Sequence, residues 1–78
     1  MLKADGFDEA VIGMDLRTGV LVYSYSKCIE ILEKRDSMTN EEAVEFMDFN
    51  VIGAYVGEKT PIFMASGKLT SEGFDEYN

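Results

Sequence analysis

The spacing of apolar positions changes repeatedly along this chain, and each change predicts an element. Residues 1 to 9, MLKADGFDE, are mostly polar with an Asp5-Gly6 turn signal, which predicts a loose start with Phe7 tucked in. Residues 10 to 16, AVIGMDL, carry Val11, Ile12, Met14 and Leu16 and suit a short strand. After Arg17-Thr18-Gly19, residues 20 to 25, VLVYSY, are rich in β-branched and aromatic side chains and read as a second strand. Two such runs around a short Gly-containing turn predict a β-hairpin.

The period then becomes helical. Cys28, Ile29, Ile31 and Leu32 mark one face of a helix of about three turns. Ser24 or Ser26 supplies its N-cap, and Lys34 and Arg35 stand in the last turn, where the helix dipole favours cations. A second helix opens at Thr39, with Glu42 three residues on in the spacing of a capping box. Ala43, Val44, Met47, Val51, Ala54 and Tyr55 line one side of it, and Phe46, Phe49 and Ile52 widen the stripe. Gly53 weakens a helix by roughly 1 kcal/mol relative to Ala. The periodicity still runs through it to Tyr55, and Gly57 is the better C-cap because it takes a left-handed conformation without strain.

After a turn at EKTP, residues 62 to 65, IFMA, predict a third strand, with Pro61 at its entry. Residues 66 to 78 are Gly/Ser-rich and acidic and read as a tail, with Leu69 and Phe74 as its docking residues. The expected domain therefore covers residues 1 to 65. Its expected fold is α+β in the order β-β-α-α-β: a small, largely antiparallel three-stranded sheet with two helices on one face. The third strand is expected beside the first, which leaves the second at an edge. DEAVIG is the one strand segment that could instead begin a helical turn. GFDE and VIG each occur twice, in segments of different predicted structure, and mark no repeat.

Composition narrows the function classes. The 78 residues allow one core, and a hydrophobic fraction of 46% fits a folded domain. Cys28 is the sole cysteine and histidine is absent, so an internal disulfide and the usual zinc ligand sets are excluded. His-based acid/base chemistry goes with them, and Cys28, without a His partner on the apolar side of a helix, reads as a core thiol. Fifteen acidic against seven basic residues give a net charge of −8. That argues against direct nucleic-acid binding and against anionic membranes, and it leaves basic protein surfaces as partners. The N-terminus has no secretory pattern and no apolar run is long enough for a membrane span, so a cytoplasmic location is expected. ASGKLT fails as a phosphate loop, because Leu69 and Ile62 occupy the hydroxyl and first-glycine positions. DGFDEA lacks the ligand ladder of a calcium loop. No cofactor is expected.

The candidate interaction face lies on the second helix. Glu41, Glu45 and Asp48, with Glu42, form an acidic stripe. Such a stripe is ordinarily the solvated side of an amphipathic helix; read functionally, it recognises a basic or nucleic-acid-binding protein. Imitation of a nucleic-acid backbone is a weak form of that reading, because Glu41 to Asp48 spans only about 10 Å of helix. The aromatic and methionine cluster of Phe46, Phe49, Tyr55, Phe63, Met47 and Met64 is expected mainly in the core. Phe46, Phe49 and Ile52 are the candidates for an exposed patch or a contact with a second copy, that is, a homodimer. Asn50 is expected to be buried and bonded to the 58 to 61 turn. Asn50, Tyr55, Glu58 and Thr60 form the alternative site, a small-molecule pocket or minor active site.

The blocks DEAVIG, YSKCIEIL and EEAVEFMDFNVIGAYVGEKTPIF resemble a group of small proteins found largely in bacteriophage genomes. The shared pattern runs D-x-A-x-I-G, Y-x-K-x-I-x-x-L, E-E-A and F-N-x-I-G-A-Y-x-G-x-x-T-P, covering about Asp8 to Phe63. Phe49, Asn50, Gly53, Tyr55, Gly57, Thr60 and Pro61 all match in register. The resemblance implies a phage-type origin and a compact α+β domain, and it brings no functional residues. The expected function is a non-enzymatic interaction protein in an infected host cell, binding a host or phage protein as an inhibitor or modulator. A small-molecule binder or minor enzyme is one alternative, and a virion or assembly component is the other.

Overall fold

The computed structural model describes residues 3 to 54, 57 and 59 to 76. Residues 4 to 10 are tied down rather than loose. Ala4, Phe7 and Ala10 are buried, and Asp8–Ala10 winds into a 3₁₀ turn before the chain extends into β1, Val11–Met14. DEAVIG is thus part helical turn and part strand. The Ala4 N–H donates to the Tyr23 hydroxyl at 2.8 Å inside the core. The Arg35 guanidinium donates to the Gly6 carbonyl at 2.6 Å and stands 5.5 Å from the centroid of the Phe7 ring, a cation against an aromatic face.

β1 pairs antiparallel with β2, Leu21–Ser24, as expected, with one extra residue on β1 between Val11 and Gly13. In the turn, the Asp15 carboxylate accepts from the Thr18 hydroxyl at 2.6 Å and from the Arg17 N–H at 3.3 Å. Those bonds satisfy the charged form and hold the Asp15 carboxyl below its usual range. α1, Tyr25–Arg35, follows β2 with no loop between them. Ser24 is the cap, its hydroxyl accepting from the Lys27 N–H at 3.3 Å. α2, Asn40–Phe46, opens with the expected capping box: Thr39 Oγ1 accepts from the Glu42 N–H at 3.2 Å, and Glu42 Oε1 accepts from the Thr39 N–H at 2.8 Å.

β3, Ile62–Met64, joins β2 and not β1, and runs parallel to it, with Val22 opposite Ile62 and Tyr23 opposite Phe63. The sheet order is β1-β2-β3, so β2 is central and the sheet is mixed, one antiparallel and one parallel pair. A parallel pair requires a long crossover, and the helices provide it. The fold is α+β with both helices on the Tyr23 face of the sheet. Residues read as a polar tail form a second, two-stranded antiparallel sheet: β4, Gly67–Thr70, and β5, Gly73–Glu76. Leu69, expected to dock, is 85% exposed.

Tyr23, Cys28, Leu32 and Met47 are the largest fully buried side chains. Phe63 stacks on Tyr23 with ring centroids 5.4 Å apart and an interplanar angle of 28°, and Ile29, Ala43 and Val51 close the cluster. Among the other aromatic and methionine side chains expected in the core, Phe46 and Phe63 are half-buried, while Phe49 and Met64 are exposed.

Tyr23→Phe keeps the ring and leaves the buried Ala4 N–H without its acceptor. It should cost about 1–3 kcal/mol in urea unfolding and release the amides of residues 4 to 10 to faster hydrogen exchange. Burial also pushes the Cys28 thiol up from 9.0 to about 11. The unfolded thiol ionises first, so the native state holds more protons between those values and stability falls as pH rises through them. Roughly 2–3 kcal/mol should be lost across that window. Cys28→Ala should lack this component, measured as the urea midpoint against pH for both proteins.

Candidate functional site

α2 does not simply continue to Tyr55. Met47–Val51 is π-wound, with the Ile52 N–H directed at the carbonyls of both Met47 and Asp48, and Ile52–Ala54 then tightens into a 3₁₀ turn. The wider turn keeps Met47 and Val51 in the core and presents Asp48, Phe49 and Asn50 to solvent. In α winding Asn50, three residues after Met47, would share its face. The expected buried amide is therefore exposed, and the cause is the change of helical winding.

The same winding explains Gly53. A Cβ at that position would lie 2.8 Å from the Asp48 carbonyl oxygen, closer than side-chain carbons approach backbone oxygens. Gly53 is where the π turn brings its own backbone against the next turn. Gly57, expected as the C-cap, has φ of +106°.

Glu41, Glu42, Glu45 and Asp48 are all exposed, and Glu42 is also engaged in the capping box. The apolar trio divides. Phe46 is half-buried and packs on the core, whereas Phe49 is 79% exposed and Ile52 is exposed beyond it. Tyr25, at the start of α1, has its hydroxyl pKa raised by burial first, then by the negative charges of Asp48 and Glu76. The end of β5 thus adds its charge to the side of the molecule that carries Asp48. Of the alternative pocket residues, Asn50 is exposed and Thr60 half-buried, and Tyr55 and Glu58 lie outside the described residues.

A groove of about 670 Å³ lies elsewhere, between the N-terminal segment and α1, lined by Lys3, Asp8, Lys27, Glu30, Ile31 and Lys34 among others. Its charges largely neutralise one another. Lys3 meets Asp8 at 3.1 Å and Lys34 meets Glu30 at 2.8 Å. The Glu30 carboxyl is held low by the Lys34 hydrogen bond, with Lys27 contributing. Glu30 precedes Lys34 by four residues, the favourable order on a helix. Lys27, Glu30 and Lys34 share a face by spacing alone, so half of this groove is visible in the sequence. The other half depends on residues 3 to 9 being ordered. Among the described residues no three His, Cys, Asp or Glu side chains converge to hold a metal ion, and no helix is long and apolar enough to cross a membrane.

No protein-family model, curated protein or solved structure matches this chain.

Replacing a helical Gly by Ala ordinarily stabilises by about 1 kcal/mol. Gly53→Ala should do the opposite, costing about 1–3 kcal/mol as the added methyl overpacks the turn. Thermal unfolding of the two proteins reads the sign directly.

Proposed function

We propose that this is a non-enzymatic interaction protein that acts by occupying a surface of another protein. One observation carries the reading: the π-wound turn after α2 sets Phe49 almost wholly in solvent. A large exposed aromatic is the residue type that anchors protein interfaces, and π turns recur at functional sites. Glu45 and Asp48 lie on the same exposed stretch. The partner this fits has an apolar pocket for Phe49 and Ile52 with basic groups at its rim. The resemblance to small phage-type proteins supports a host or phage protein in an infected cell as that partner. The acidic residues would steer approach more than they hold the complex.

Affinity capture from infected-cell lysate tests this with three baits. The wild-type chain should retain one stoichiometric protein. Phe49→Ser should lose it, with unfolding unchanged because the ring is outside the core. The combined change Glu41→Gln, Glu42→Gln, Glu45→Gln and Asp48→Asn keeps the capping box functional. It should slow association with the retained protein and flatten its salt dependence. Equal retention by wild type and Phe49→Ser would remove the reading.

A further inference from the structure

The molecule exposes more surface than a chain of its size should. A monomer of 8.7 kDa is expected to present about 4,700 Å², whereas this chain presents 5630 Å². Its radius of gyration is 13.0 Å, against about 11.5 Å for a compact chain of this length. The surplus, about 900 Å², matches the roughly 800 Å² per partner that a standard protein interface covers.

Apart from the Phe49 patch, two apolar surfaces carry exposed side chains: Ile12, Ile62 and Met64 on one, Leu69 and Phe74 on the other. The first is the outer face of the three-stranded sheet. Tyr23, Phe63 and Val11 share the inner face through their register. By alternation Val22 and Ile62, with Met64, stand on the other face, and Ile12 joins them at the bulge. Ile12, Ile62 and Met64 are exposed. Among the described residues no helix covers this face, and none of these four residues is charged.

The second surface is one face of the β4–β5 hairpin. Leu69 lies opposite Phe74, so their side chains share a face. The Phe74 ring leans over Gly67, where a Cβ would collide with it. Leu69 and Phe74 remain 85% and 54% exposed. Only Ala65 and Ser66 separate β3 from β4, and the hairpin forms a sheet separate from the three-stranded one.

Net charge is opposite at the margins. The hairpin carries Glu72, Asp75 and Glu76 against Lys68, with Glu76, opposite Gly67, at the end of the Leu69 and Phe74 face. The β1–β2 turn, at one end of the bare sheet face, carries Arg17 beside Asp15, whose carboxylate is taken up by Thr18 and the Arg17 N–H, and Lys59 reaches the turn to donate to the Thr18 carbonyl at 3.0 Å.

We propose that the occupant of both surfaces is a second copy of the chain: the β4–β5 hairpin of each copy lies, Leu69 and Phe74 inward, on the bare outer sheet face of the other. The exchange is reciprocal and closes as a two-fold dimer, so no surface is left to propagate an open chain. The dimer leaves Phe49 free and stands independently of the partner proposed for it.

Sedimentation equilibrium of the full chain should give twice the monomer mass of 8.7 kDa. Leu69→Asp and Phe74→Asp should each raise the dissociation constant by at least about a hundredfold, because they bury an unpaired carboxylate. Both should keep the wild-type far-UV spectrum and melting cooperativity, since the hairpin is outside the core. Phe49→Ser should remain a dimer. A spin label on Ser71→Cys, with Cys28 protected by burial, should broaden the methyl signals of Ile12 and Ile62 in an unlabelled, isotope-enriched copy mixed with it. A monomer at millimolar concentration overturns the proposal. So does a dimer that survives both hairpin substitutions, or one whose broadened methyls lie away from Ile12 and Ile62.

Discussion

A buried phenol holds this fold together. Tyr23 sits on the central strand with no accessible surface, and its hydroxyl must find a partner because an unpaired polar group inside a core is costly. The partner is the Ala4 N–H. That one bond recruits the N-terminal segment into the core and brings Phe7 under Arg35. It also creates the wall of the charged groove against α1. On its other side the ring stacks on Phe63, which fixes where β3 joins the sheet. The order of the strands and the order of the N-terminus therefore share one residue.

A domain of this size has few such residues to spare. The fully buried large side chains are Tyr23, Leu32, Met47 and Cys28, drawn from β2, α1 and the π-wound turn. Those three elements contribute one or two anchors each. Capping and short-range bonds fix the element ends cheaply: Ser24 for α1, Thr39 with Glu42 for α2, and Asp15 for the hairpin turn. The core decides how the elements meet, and it is too small to cover the outer sheet face as well.

The parts legible in the sequence are those governed by neighbours along the chain. The capping box, the cations at the end of α1, the β1–β2 hairpin and the presence of the third strand all follow from local chemistry. Strand pairing does not. Two helices after a hairpin make an antiparallel return beside β1 the simplest expectation, but β3 pairs with β2 because Phe63 finds Tyr23. Asn50 was legible as a polar residue on a helix and illegible as an exposed one, because the winding of Met47–Val51 is set by what Met47 and Val51 must bury. Residues 67 to 76 are polar enough to read as a tail, yet each strand satisfies the other's backbone without a core beneath it. Within the candidate face, the acids are exposed, as polar positions on an amphipathic helix are, but spacing could not divide Phe46 from Phe49, since both fall on the same broad stripe.

The π-wound turn also has a mechanical meaning. A turn closed five residues back holds one residue more than an α turn. Between the buried Met47 and Val51 it sets three residues, Asp48, Phe49 and Asn50, outward in succession. The glycine at 53 is the hinge pin of that arrangement: only a residue without a Cβ lets the following turn close against the Asp48 carbonyl.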